Sequence, residues 1–421
     1  AGFVGRQRPE STTAASFWDT EATGQSLSAA GEGRCTADMQ NPDIFTAAGW
    51  DFLDQPDGPH DVWAMPAQGG YPILASQLPE DAGLPAFSGG SGEPNDPYLV
   101  STAGQLNSIG YNPRLMDDHF RLLDNIDLSG VEFFSIGCET FPFAGVFDGG
   151  GHTISNLGRI AGQPMDAGLF GRVSGHGTII RNLGLIDPNF QAASADTVGS
   201  LVGWLGQATV ADCYVAGGRL TSSNYEITSM GCLGGLVGYV YEGGAILRCW
   251  SHTEVVGEGY GDVGGLVGCI YWGSVASSCS RSAVTGESTV GGLAGWSRSE
   301  IVDCYAEGSV QGQQYVGGLL GLTRDLGRVT NCYARAIVVG QQKTGGLIGS
   351  RPERQPLNCF WDMLVSGQTA SAGGVGKTTA EMQMAATFSD AGWDFENVWT
   401  ICEGRDYPRL RWENAKCEGG Q

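Results

Sequence analysis

The amino-acid sequence predicts an all-β fold: a parallel β-helix (β-solenoid) of ~28-residue coils, with short capping helices and small irregular cap segments. Three observations lead there. An apolar–glycine hexapeptide recurs along the chain, a second element follows each copy at a nearly constant distance, and no helical period separates them.

The hexapeptide stands at Val198–Gly203 (VGSLVG), Leu233–Gly238 (LGGLVG), Val263–Gly268 (VGGLVG), Val290–Gly295 (VGGLAG), Val316–Gly321 (VGGLLG) and Thr344–Gly349 (TGGLIG), at spacings of 35, 30, 27, 26 and 28 residues. Weaker relatives are AGLFG at Ala167–Gly171 and AGFVG at Ala1–Gly5. The second element centres on Cys213, Cys249, Cys279, Cys304, Cys332 and Cys359, with Leu183 and Ser16 in that place in the weaker copies. A side chain that recurs once per coil forms a ladder in a solenoid. The six cysteines are therefore expected inside, reduced, as small apolar filler; disulfides between neighbouring rungs are the alternative. Short runs such as GRVTNCYA and RAIVVG read as strands, and the glycines suit corners.

VGGLVG followed by a CYA-like strand resembles the GLUG repeat of bacterial secreted and surface proteins. The resemblance covers about residues 160 to 364. Phe87–Gly110 resembles the segment that opens such arrays, with a short capping helix, and His119–Leu157 resembles the first rungs. It implies an extracellular or cell-surface location and a structural or adhesive role without fixed catalytic residues.

The segment that follows the last repeat is present twice. Phe360 and Trp393 align with Phe17 and Trp50 at a common offset of 343. The chain therefore divides into a closing-type segment with one rung remnant (1–82), an opening segment with first rungs (83–160), the repeat solenoid (161–364) and a closing cap (365–421). Residues 1–82 read as the end of an array, so the first strand has no rung to stack on, and an open edge is a template for another chain. Gly2, Phe3, Val4, Gly5, Phe17 and Trp18 are the expected assembly residues, and the expected partner is a second copy, joined head to tail. The alternatives are a first rung packed sideways on its own solenoid, or a piece cut from a longer tandem protein.

Composition narrows the partners. With 45 Asp and Glu against 23 Lys and Arg, the net charge is −22, which argues against nucleic acid. No run of 18 apolar residues exists to insert in a membrane. The start at Ala1, without methionine or signal-type segment, reads as a mature or cut chain.

Chemistry-bearing motifs are few. GGVGKTT at Gly373–Thr379 lacks the first glycine of a phosphate-binding loop, with Ser371 in its place, and reads as a turn into a short helix. Asp117, Asp118 and His176 are the candidates for paired-carboxylate glycoside hydrolysis, but their spacing does not favour it. There is no HExxH. No cofactor is expected; calcium is possible, with Asp124, Asp127 and Asp148 as turn ligands. The residues after the ladder cysteines include Tyr214, Trp250, Tyr305, Tyr333 and Phe360. Neighbouring strand residues face opposite ways, so these aromatics are expected to point outward, for glycans or a partner surface, unless the closing segment covers them. Cys402 and Cys417 could close a loop, and Cys232 and Cys269 could meet. The expected function is a non-catalytic, self-assembling surface solenoid; the alternatives are a carbohydrate-active β-helix enzyme and a passive glycan-binding module.

Overall fold

The computed structural model describes residues 2–4, 6, 12–53, 62–65, 70–75, 86–162, 164–192, 195–223, 231–259, 261–324, 327–350 and 353–417. The chain forms two compact units, one of residues 1–86 with 107–115 and one of residues 87–106 with 116–421.

The second unit is a β-solenoid of about eight stacked parallel coils of roughly 29 residues. Each complete coil visits four sheets in turn. Sheet A collects short strands such as Asp262–Gly264, sheet B strands such as Val267–Tyr271, sheet C strands such as Ser274–Ala276, and sheet D the longer strands such as Tyr305–Gln311. All pairings within these four sheets are parallel, and each repeat stacks on its equivalent in the next coil, as in Val237↔Val267↔Ala294↔Leu320. The fold is set by residues with no alternative place to go. Leu201, Leu236, Leu266, Leu293, Leu319 and Leu347 stack as a fully buried column, each side chain contributing about 1.5–3 kcal/mol by leaving water.

The corner between sheets C and D is the most constrained point of each coil. Asn182, Asp212, Arg248, Ser277, Asp303, Asn331 and Asn358 all take φ between 46° and 54° there. Asn and Asp tolerate this left-handed region best among non-glycine residues. Their side chains also bridge coils: Asn331 Nδ2 donates to Asp303 Oδ1 and Asn358 Nδ2 to Asn331 Oδ1, both at 3.2 Å.

The residue after this corner points inward and forms the ladder. Cys213, Cys249, Cys304, Cys332 and Cys359 occupy it, buried, each thiol near the carbonyl two residues back, as for Cys304 Sγ and Val302 O at 3.1 Å. One expected member is displaced. Ser277 takes the corner, so Ser278 holds the ladder place, its Oγ donating to Ala276 O at 2.7 Å. Cys279 sits one position later, in register with Trp250 and Tyr305. The corner conformation decides the register, and the cysteine does not.

The solenoid closes with a cap built from residues 363–417. Met382, Phe388, Trp393, Trp399, Tyr407 and Leu410 form its buried cluster against Tyr305, Tyr333 and Phe360. Asp362 caps the helix Met363–Ser366 and accepts the Tyr407 hydroxyl at 2.5 Å. GGVGKTT supplies the strand Val375–Lys377 and Thr378, which caps the helix Thr379–Met382 with a reciprocal Glu381 contact. Cys402 and Cys417 form a disulfide within the cap.

The first unit contains the parallel pair Phe17–Asp19 and Glu32–Arg34, the helices Thr20–Thr23 and Pro42–Thr46, and the antiparallel pair Trp63–Ala64 and Ile73–Leu74. Phe45 and Phe52 are buried within it. Gly5 lies outside the described residues.

Because a serine already serves in the ladder at 278, Cys304→Ser is expected to cost less than about 1 kcal/mol, its hydroxyl taking the same carbonyl. Cys304→Leu is expected to cost about 1–3 kcal/mol by overpacking. Urea unfolding midpoints of the two variants against the parent measure this; equal losses would refute the ladder assignment.

Candidate functional site

The displaced cysteine shapes the most chemically dense place on the solenoid. Along sheet D the outward column reads Tyr214, Trp250, Cys279, Tyr305, Tyr333 and Phe360. Tyr214 and Trp250 stack at 4.7 Å with their planes 2° apart, and Tyr305 and Tyr333 stack at 5.0 Å and 5°. Cys279 is too small to continue the stack, and Arg281 enters the gap, its guanidinium carbon 5.8 Å from the Trp250 ring centre and 5.9 Å from that of Tyr305.

A cleft of about 610 Å³ opens at this gap, lined by Trp250, Arg281, Glu307, Arg409, Trp412, Glu413 and Ala415. The cap supplies one wall: Trp412 Nε1 donates to Ser277 O at 2.8 Å. Its charges answer one another. Glu413 pairs with Arg281 and accepts the Tyr305 hydroxyl at 2.8 Å, and Arg409 Nη1 donates to Glu307 Oε1 at 2.5 Å and to Tyr305 Oη at 3.1 Å. Burial pushes the Cys279 thiol up to about 12, far from a neutral-pH nucleophile.

The aromatic stripe expected to face a ligand is therefore divided. Tyr305, Tyr333 and Phe360 do point away from the ladder but are buried beneath the cap, where Tyr333 donates its hydroxyl to Pro408 O at 2.8 Å. Tyr214 and Trp250 are half-buried, Trp250 at the edge of the cap's cluster. The reason is that the closing segment needs an apolar surface to fold on, and the column provides it.

A second aromatic band was missed by the sequence reading. On sheet B, Trp204, Tyr239, Cys269 and Trp296 stand in one register, with Tyr241 and Tyr271 one step along. Tyr241 and Tyr271 stack at 5.8 Å and 12°, Tyr271 and Trp296 at 5.8 Å and 16°, and Trp272 is half exposed beside them. The signal in the sequence was the residue after each GLVG-type motif: Trp204, Tyr239, Cys269 and Trp296.

The remaining candidates fall apart or change role. Asp127 Oδ1 accepts from Ser129 N, Ser129 Oγ and Asn156 Nδ2, bonds that hold its carboxyl below the ordinary value. Asp148 is engaged by Gly150 N, Arg181 and Asn182, and Asp124 is exposed. Asp127 and Asp148 thus serve corners, and among the described residues Asp124, Asp127 and Asp148 do not form a ligand cluster. Burial, Asp117 and Glu93 push Asp118 up to about 6, while His176 is exposed on another turn.

Among the described residues, three ligand-type side chains converge at Cys232, Asp262 and Cys269. The two cysteines are joined as a disulfide between consecutive coils. Their separation of 37 residues gives a chain-entropy stabilisation of about 4 kcal/mol. Cys269 Sγ lies 3.3 Å from Asp262 Oδ2, a contact without a proton, since a disulfide sulfur carries none. Burial pushes the Asp262 carboxyl up to about 6, against the pull of Thr289 and Arg324. Cys35 and Cys138 remain free thiols.

Two outcomes follow from this geometry. A folded-state value near 6 for Asp262 against 3.8 means the folded chain holds that proton more tightly, so stability is lost as pH rises from 3.8 to about 6. Asp262→Asn is therefore expected to raise the thermal midpoint at pH 7.5, by about 2–3 kcal/mol of stability, and to change it little at pH 3.5. Glu413→Ala removes the acceptor of the Tyr305 hydroxyl and the nearer carboxylate of Arg281, leaving it Glu307 at 3.9 Å, and is expected to cost about 1–3 kcal/mol, read as faster limited proteolysis of the cap than of the coils; cleavage at the parental rate would refute the clamp.

No family model matches the chain. Halomucin of Haloquadratum walsbyi is 32% identical over 353 residues, covering 80% of this chain and 4% of that protein. A Gly-rich membrane protein of Evansella cellulosilytica is 33% identical over 141 residues, covering 32% of this chain and 13% of that protein. The chain thus spans a small fraction of the length of the curated relatives it matches. Among solved structures, a protein described as an immunoglobulin A1 protease from Bacteroides ovatus aligns with a TM-score of 0.49 and 22% identity, over 77% of this chain and 95% of that one.

Proposed function

We propose that the chain is a non-catalytic structural or adhesive module of an extracellular or cell-surface protein, built on GLUG-type repeats, that joins end to end with solenoids of its own repeat type. The observation that carries this reading is how the cleft uses its charges. Glu307, Glu413, Arg281 and Arg409 tie the cap to the coils and to one another. An acid–base pair for hydrolysis needs one carboxyl free to give a proton and another free to take one, and here both carboxylates serve as clamps. The likeness to proteins named halomucin and Gly-rich membrane protein supports a surface location. Incubation with neutral and acidic polysaccharides and with unfolded protein substrates is expected to release no reducing ends and no peptides; product that disappears in a Glu413→Gln variant would overturn the reading.

The sheet B band favours a second reading, a passive glycan-binding surface. Aromatic faces repeated along consecutive coils match the stacking surface that sugar rings use. Retention on an immobilised glycan series is expected to fall at least tenfold on Trp272→Ala together with Trp296→Ala; retention by neither parent nor variant would remove it.

A further inference from the structure

The first unit repeats the cap of the second almost contact for contact. Phe17 packs edge-on against Phe45 at 5.2 Å and 82°, as Phe360 does against Phe388 at 5.4 Å and 83°. Trp50 Nε1 donates to Ala15 O at 2.8 Å, as Trp393 Nε1 does to Asn358 O at 2.9 Å. Asp19 caps the helix Thr20–Thr23 and accepts the Tyr71 hydroxyl, as Asp362 caps Met363–Ser366 and accepts that of Tyr407. The match extends into the rung remnant: Gly2 N donates to Leu27 O as Gly346 N does to Ala370 O, and Ala29 N to Val4 O as Ala372 N does to Ile348 O.

What differs is the side that meets the preceding coils. Phe360–Trp361 pairs with Tyr333–Ala334 on one edge and with Val375–Gly376 on the other. Among the described residues, Phe17–Asp19 pairs only with Glu32–Arg34. Side-chain exposure follows the same line. Leu347, Tyr407 and Leu410, which face the last coils, are 0%, 4% and 0% exposed; their counterparts Phe3, Tyr71 and Leu74 are 51%, 40% and 44% exposed. The same architecture thus presents a covered face in one copy and a bare one in the other.

We infer that this face of the first unit takes the last two coils of a β-solenoid of the same repeat type, with a parallel strand added at Phe17–Asp19 and stacked tyrosines seated against Trp63, Tyr71 and Leu74. The covered copy defines the occupant, because Tyr305 and Tyr333 fill the equivalent place against Trp399, Tyr407 and Leu410. Pro72 stands where Pro408 accepts a tyrosine hydroxyl. Unsatisfied parallel edges and bare apolar faces are removed together by such stacking. The partner has a free last coil; a second intact copy of this chain does not, since its own cap already covers Tyr305 and Tyr333.

The inference rests on the structural reading above and is tested apart from it. The full chain is prefixed at Ala1 with a second copy of residues 274–344, and hydrogen exchange is followed by mass spectrometry. Exchange across Phe17–Asp19 and Trp63–Ala64 is expected to slow at least tenfold relative to the unprefixed chain. Val62→Asp with Leu74→Asp, on the exposed side, is expected to abolish that protection while leaving exchange in the second unit unchanged. A prefix that stays unprotected, or that folds without slowing exchange at Phe17–Asp19, overturns the inference. So does concentration-dependent dimerisation of the unprefixed chain lost in the same double variant, which would assign the face to an intact second copy. None of these outcomes bears on whether polysaccharides or peptides are cleaved, so the non-catalytic reading and this inference fail separately.

Discussion

Everything in the solenoid depends on one backbone constraint, the left-handed residue between sheets C and D. Successive side chains of a strand face opposite ways, so a shift of one position exchanges the inside and outside of the coil. The left-handed corner fixes that choice seven times, from Asn182 to Asn358. In the coil at Ser277 it places a serine in the ladder and a cysteine among the outward aromatics. From that single displacement come the gap in the stack, the entry of Arg281, and the cleft that the cap then walls with Trp412 and Glu413. A local conformational rule at one residue thus determines where a surface feature appears on the coil.

The second constraint is the end of the stack. A solenoid satisfies each strand through its neighbours, so its last coil leaves backbone donors, acceptors and an apolar face unmet. The closing segment answers both needs with the same residues. Phe360–Asp362 continues sheet D, Val375–Lys377 adds one more strand, and Trp393, Trp399 and Tyr407 cover the tyrosines. That the outward column of sheet D is aromatic at Tyr305 and Tyr333 follows from this: these positions serve as the floor of the cap, whereas Tyr214 and Trp250, farther from the end, stay half-buried.

The parts of the fold legible in the sequence are those written once per coil. The VGGLVG-type motif recurs with its apolar and glycine positions intact, and the buried leucine column reads directly from it. The duplicated closing segment is legible through Phe17, Trp50 and their counterparts at a fixed offset. Features that depend on conformation or on distant segments are not. Nothing in SSCSR states that Ser277, rather than Ser278, turns the corner, so the cysteine alone suggested a register one residue off. The sheet D aromatics look exposed until a segment about 60 residues away from Tyr333 along the chain folds over them. Asp127 and Asp148 resemble cation ligands in sequence because acids at turns serve both purposes, and only their hydrogen bonds distinguish the two.

The charge balance acquires a structural meaning once the pairs are placed. The chain carries three lysines, at 343, 377 and 416, and most of its positive charge is arginine. Several arginines join adjacent coils: Arg181 to Asp148, Arg248 to Asp212 and Arg219 to Glu254. Others lie across rings, with Arg172 4.8 Å from the Trp204 centroid and Arg335 4.4 Å from that of Tyr407. A planar guanidinium can hold a carboxylate with two N–H groups and lie flat on an aromatic face. Exposed pairs of this kind contribute little each to stability. They match opposite charges between neighbouring coils in a chain whose net charge of −22 opposes compaction. Among the described residues, part of the positive charge thus holds one coil to the next.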